Sequence, residues 1–133
     1  MWYYQGEQIS RIEQVPAGAV GFVYKISFPE MDLHYIGKKN LHSTRTLPPL
    51  KGYKRNRRIQ KESNWLTYCS SNPEVQYLVN QGHEVYKDIL TFAWSQRQLT
   101  YLETKMLFVY SVLEDDRYMN GNILGKFYAG NTL

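Results

Sequence analysis

Apolar and polar positions alternate most clearly from Val20 to Phe28. Phe22, Tyr24, Ile26 and Phe28 fall on one face, and Val23, Lys25 and Ser27 on the other. A period of two marks a strand with one face toward a core. A second short segment, His34-Tyr35-Ile36-Gly37-Lys38-Lys39, follows the turn-forming Pro29-Glu30-Met31-Asp32, and the pair predicts a β-hairpin. Val85 to Ala93, centred on Ile89-Leu90-Thr91-Phe92, predicts a third strand. Ser71-Asn72-Pro73-Glu74 joins a capping residue, an early proline and a glutamate, and predicts a helix through Val75, Leu78 and Val79 that stops at Gly82. Ser95-Gln96-Arg97-Gln98 opens the longest periodic run. In it Leu99, Leu102, Met106, Val109 and Leu113 recur at helical spacing, and the helix is expected to end near Glu114.

The rest of the chain is less regular. Residues 1 to 19 read as a strand or loop leading into the hairpin. Asn40 to Lys61 contains Pro48-Pro49 and Gly52 with little apolar periodicity, and reads as mostly loop. Glu62 to Tyr68 suits one helical turn whose Trp65 anchors that loop to the core. Asn120-Gly121 is a strong turn dipeptide within Asp115 to Leu124. The expected fold is α/β, of the α+β sandwich type: a small, mainly antiparallel three-stranded sheet flanked by helices. A single domain over residues 1–133 is expected, with the basic loop 38–61 as an insertion.

Charge changes this picture. The formal net charge is only +4, yet Lys38, Lys39, Arg45, Lys51, Lys54, Arg55, Arg57, Arg58 and Lys61 crowd one internal stretch that holds no acid. The remaining seven bases face all twelve acids. Such segregation points to an anionic partner, phosphate backbone being the commonest, or else to a solvated loop serving solubility. Other classes recede. Cys69 is the one cysteine, so no intrachain disulfide forms, and His34, His42 and His83 lack zinc-ligand spacing. No apolar run is long enough to span a bilayer and no signal-type segment opens the chain, so a soluble, cytoplasmic protein is expected.

Glu103 is the most informative single residue. At ~100° per residue it lies ~40° from Leu99, turned with the apolar stripe and not into bulk water. A carboxylate so placed must be paired, hydrogen-bonded or bound to a metal.

Taken together, Tyr24 at the end of an aromatic-aliphatic-tyrosine run, the intact Tyr35-Ile36-Gly37, the bases from Lys38, then Glu103 and Asn120 resemble the GIY-YIG endonuclease family. The similarity covers roughly residues 20 to 122, and Lys61-Glu62-Ser63-Asn64-Trp65 with Tyr68 and Ser70-Ser71 is similar to its phage-type, single-domain branch. The resemblance implies a metal-dependent DNA endonuclease, of homing or other type, acting on double-stranded DNA in the host cytoplasm if phage-encoded. It implies catalytic positions at Tyr24, Tyr35, Gly37, Lys38, Lys39, Glu103 and Asn120, with Glu103 holding Mg²⁺ or Mn²⁺. By the same resemblance Tyr24 is the general base, Tyr35 orients water or a phosphate oxygen, and Asn120 positions the glutamate or substrate. Arg45, Lys51, Lys54, Arg55, Arg57, Arg58 and Lys61 are the expected DNA contacts. A lone carboxylate suits a hard cation that keeps several waters, and a phenol of pKa about 10 needs nearby positive charge to act as a base.

The sequence departs from the family pattern at three places. Phe22-Val23-Tyr24 follows Gly21, so either phenylalanine replaces the family's glycine or one residue is inserted. The family's arginine has no helix to stand on, which leaves its place to Lys38 or Lys39, or to Arg45, Arg55, Arg57 or Arg58. Cys69 stands first in what resembles a Gly-Ser-Ser start. Two alternatives stand beside the enzyme: a catalytically inactive nucleic-acid-binding module on the same fold, and a small interaction protein whose basic loop docks an acidic partner.

Overall fold

The computed structural model describes residues 1–130. In chain order the elements are β1 (Trp2–Tyr4), β2 (Glu7–Ile9), a 3₁₀ turn (Ile12–Gln14), β3 (Gly21–Phe28) and β4 (Leu33–Asn40). They continue with β5 (His42–Leu47), β6 (Arg57–Glu62), α1 (Pro73–Asn80), β7 (Tyr86–Ala93), α2 (Gln96–Val109), β8 (Asn122–Ile123) and β9 (Phe127–Tyr128).

The main sheet has five strands, in the order β2-β1-β7-β3-β4, where three were expected. The expected hairpin and third strand form its β7-β3-β4 half, all antiparallel. The two additional strands come from the N-terminal segment, and β1 joins β7 in parallel. Their connection is Gln5-Gly6, both at positive φ (51° and 83°), as a type I′ hairpin turn requires.

Two apolar layers enclose the sheet. On one face Phe22, Tyr24, Ile26 and Phe28 pack with Trp2, Leu41, Trp65, Val75 and Leu78. On the other, Val23, Ile36 and Ala93 meet Leu99 and Leu107 of α2 together with Val112 and Ile123. The alternation of β3 is therefore clean only at Lys25 and Ser27, because α2 covers Val23 from behind. Gly21 admits that approach: a Cβ there would stand 2.6 Å from both Leu99 Cδ2 and the Lys39 carbonyl oxygen.

Opposite β4, β3 pairs residue for residue from Gly21 with Asn40 to Phe28 with Leu33. Gly21 to Tyr24 thus holds no looped-out residue, and Phe22 sits fully buried in regular strand. The irregularity lies on the other side, in β7, where the partners step from Thr91 to Ile89.

Two expectations need correction. The longest helix ends at Val109, not near Glu114, and Val109 is 63% exposed, so Leu107 takes its place on the buried stripe. Ser111 adopts φ 52°, and the Ser111→Phe108 and Val112→Leu107 backbone hydrogen bonds close the helix in a Schellman motif. Nor is the basic segment 38–61 mostly loop. Lys38 and Lys39 belong to β4, and β5 and β6 pair from His42 with Glu62 to Leu47 with Arg57, leaving only residues 48–56 as the tip. Trp65 anchors the base of this ribbon as expected. It is fully buried, accepts the Trp2 indole N–H at its carbonyl (2.6 Å) and donates its own indole N–H to Glu62 (2.8 Å).

Candidate active site

β4 is an edge strand, and an edge strand must find partners for the backbone groups it turns outward. Three successive outward residues find them in the C-terminal third of the chain. The His34 N–H donates to the Arg117 carbonyl (2.7 Å), and its own carbonyl accepts from the Met119 N–H (2.8 Å). At Ile36 the Asn120 side chain replaces a neighbouring strand: Oδ1 accepts the Ile36 N–H (3.1 Å) and Nδ2 donates to the Ile36 carbonyl (2.8 Å). The Lys38 N–H donates to the Glu103 carboxylate. Residues two apart on a strand are roughly 7 Å apart. Asn120 and Glu103 are thus docked side by side on one edge.

Beside them lies an open pocket of about 380 Å³, lined by Tyr35, Asn72, Glu103, Asn120 and Asn122 among others. Glu103 is half-buried, as its place on the helix predicted, and forms no ion pair within the described residues. Burial pushes its carboxyl above the ordinary range, while the Lys38 charge and N–H draw it back. The Lys38 ammonium donates to Thr100 Oγ1 (2.9 Å).

The tyrosines occupy the other face of β4, around the corner of the same edge. Tyr24 stands opposite Gly37 in the β3–β4 register, and the Tyr24 and Tyr35 rings are 6.4 Å apart. Gly37 is required by that packing: a Cβ would lie 2.5 Å from the Tyr24 hydroxyl and 2.7 Å from its Cζ. Tyr24 is only 2% exposed, and burial pushes its phenol far above the usual range, partly offset by a hydrogen bond with Ser70. Tyr35, half-buried on the pocket wall, is pushed up by burial and by the Glu103 charge, again with Ser70 as a hydrogen-bond partner.

Ser70 and Tyr68 therefore join the cluster, although neither was among the expected site residues. Ser70 is 3% exposed at φ 73°, and its hydroxyl also accepts the Asn72 N–H (3.0 Å) at the start of α1. The signal for it was the Cys69-Ser70-Ser71 stretch, where the resemblance marked a motif without a role. Lys39 lies over the Tyr68 ring, 4.1 Å from its centroid, and burial lowers its pKa. Lys38 and Lys39 are thus the bases beside the site. Arg45, Arg57, Arg58 and Lys61 lie on the ribbon, with Lys51, Lys54 and Arg55 at its tip, all exposed.

The donor set fits a hard divalent cation: one half-buried carboxylate facing an open polar pocket, with room for waters and phosphate oxygens. Glu103 is the residue that would hold it. Asn120 spends its amide on Ile36 and serves as the clamp that fixes the edge.

Residues 2–123 match the family model described as "Putative endonuclease segE, GIY-YIG domain". The chain belongs to the GIY-YIG family. The match takes in β1 and both helices, so the five-stranded sheet and the β4 edge lie within the GIY-YIG domain. No curated protein and no solved structure gives a match. Membership implies a nuclease and, with it, a nucleic acid substrate. Among the described residues no helix is long and apolar enough to cross a membrane.

Proposed function

We propose that this GIY-YIG domain is a divalent-metal-dependent endonuclease that hydrolyses phosphodiester bonds of double-stranded DNA. The observation that carries the reading is the docking of Glu103 and Asn120 onto successive outward positions of β4, beside Tyr35 and one open pocket. Glu103 would hold Mg²⁺ or Mn²⁺, which when bound supplies positive charge for the phosphoryl and leaving oxygens. Lys38 and Lys39 add fixed positive charge for the transition state.

Of the two tyrosines, Tyr35 is the one that lines the pocket, so the contact with attacking water that was expected of Tyr24 passes to Tyr35. Tyr24 acts from behind, packing against the Tyr35 ring and hydrogen-bonding to Ser70. This division follows from burial: Tyr24 is only 2% exposed, whereas Tyr35 stands on the pocket wall. That burial is also what favours the rival reading, a DNA-binding module without catalysis. A DNA substrate fits the expected cytoplasmic setting.

Incubation with supercoiled plasmid in Mg²⁺ or in EDTA, with Tyr35→Phe and Tyr24→Phe alongside, tests both parts. Nicking or linearisation in Mg²⁺ only, lost more completely in Tyr35→Phe, supports the reading. Cutting that persists in EDTA rejects the metal, and salt-sensitive binding without any cutting establishes the inactive module.

A further inference from the structure

The β5–β6 ribbon is open on both sides: its ten residues from Ser43 to Thr46 and from Arg57 to Glu62 are exposed, and only His42 and Leu47 are partly covered. It leaves the body directly from β4, held at its base by Leu41 N–H to the Val20 carbonyl (2.9 Å) and Ser63 N–H to the Leu41 carbonyl (2.9 Å). Directly opposed residues of an antiparallel pair share a face. The register therefore sorts the side chains into two sets. Ser43 with Lys61, Arg45 with Ile59 and Leu47 with Arg57 make a cationic face. Thr44 with Gln60 and Thr46 with Arg58 make the outer part of the opposite face, whose inner end is His42 with Glu62.

The polar face is chemically distinct from a merely basic surface. Among the described residues none of the Thr44, Thr46, Arg58 and Gln60 side chains makes a hydrogen bond, whereas Glu62 at the inner end is engaged by Trp65. Four free hydrogen-bonding side chains project from a flat, twisted element narrow enough for the DNA major groove, which admits a two-stranded ribbon. The types match the base-edge code: Arg pairs bidentately with guanine, Gln with adenine, and Thr gives a hydroxyl and a methyl for thymine. Each strand has six residues and is ~20 Å long, the rise of about six base pairs.

We infer that the ribbon is a sequence reader for duplex DNA. Thr44, Thr46, Arg58 and Gln60 contact base edges in the major groove, and Arg45, Arg57 and Lys61 reach the flanking phosphates. This rests on the proposal that the domain acts on double-stranded DNA, and it adds where along the duplex specificity is set. Because the ribbon continues the strand that carries Tyr35 and Gly37, the bases read lie close to the bond cut.

The test uses the whole chain in EDTA, selecting bound duplexes from a library with a randomised window and measuring affinity for one mixed-sequence duplex against salt. Wild-type protein is expected to enrich defined bases over about six positions. Thr44→Ala/Thr46→Ala/Gln60→Ala is expected to lose that enrichment about tenfold or more while keeping its salt slope. Arg45→Ala/Arg57→Ala/Lys61→Ala is expected to keep the enriched bases, bind all duplexes more weakly and lower the slope by about three. Enrichment that survives the polar-face substitutions, or that depends on the cationic face instead, overturns the inference. So does wild-type binding without any base preference, which leaves the nuclease reading intact if plasmid is still cut. Failure to bind duplex at all removes both.

Discussion

Gly37 sets the distance between two phenols. With its Cβ position 2.5 Å from the Tyr24 hydroxyl, and Tyr24 enclosed by Trp2, Phe22, Tyr35 and Tyr68, an added methyl has nowhere to go. Gly37→Ala is expected to destabilise the fold by about 1–3 kcal/mol and to slow cleavage further by displacing the tyrosines. Urea denaturation and single-turnover cleavage check the two effects separately. A variant with unchanged stability and rate would show that the site tolerates the movement. At this scale the sequence said a good deal. The half-burial of Glu103 was legible in helical geometry, and Gly37 in its place between Tyr35 and the bases. The role of Asn120 was not, because its partner is the backbone of Ile36, 84 residues away, and no side-chain pattern encodes a backbone partner. The alternation of β3 did place Tyr24 on the core face, but its enclosure by Trp2 and Tyr68 was hidden, since these arrive from other segments.

Between elements, the turn from Asp115 to Met119 delivers Asn120 to the edge of β4. Arg117 closes it through a bidentate pair with Asp115 (2.7 Å at the shortest) and a longer contact with Asp32 (3.6 Å). The Arg117 guanidinium holds the Asp115 carboxyl down at about 2, below its ordinary 3.8. The folded value is depressed, so this turn's contribution is complete above the unfolded pKa and is lost as pH falls from about 4 toward 2. Arg117→Ala is expected to raise the Asp115 titration part of the way to the ordinary range, the residue-117 backbone N–H still donating to the carboxylate (3.0 Å), read by carbon-detected NMR. An unchanged midpoint would remove Arg117 as the cause.

Caps explain why one helix end was legible and the other was not. α1 stops at Gly82, φ 84°, with the Gly82→Val79 and His83→Leu78 bonds of a Schellman motif. α2 stops by the same two bonds, but with Ser111 in the left-handed position, so the sequence carried no glycine to mark it. Ser111→Gly is expected to stabilise the fold by about 1 kcal/mol, measured by urea denaturation, and a loss of stability would contradict the strain assigned to Ser111. The ribbon escaped notice for a different reason. With neither face buried it shows no apolar alternation, and the Pro48-Pro49 and Gly52 tip separates its strands. The N-terminal hairpin was hidden by strands of only three residues each.

Over the whole molecule, charge and site are arranged along one strand. β4 carries the tyrosine face, the Glu103–Asn120 edge and the two lysines, and then runs into a ribbon whose exposed arginines and lysines find no acidic partner within the described residues. The uneven charge was plain in the sequence. Its mounting on a projecting ribbon, continuous with the strand that carries Tyr35 and Gly37, required the fold. With duplex binding inferred for the ribbon and cleavage proposed for the edge, the two are separable by mutation. The most direct measurement is single-turnover cleavage of a labelled duplex by Glu103→Ala in Mg²⁺, with its affinity for the same duplex determined in parallel. Cleavage reduced to background with affinity unchanged is the predicted result. Cleavage at the wild-type rate would contradict the assignment of the site to the β4 edge.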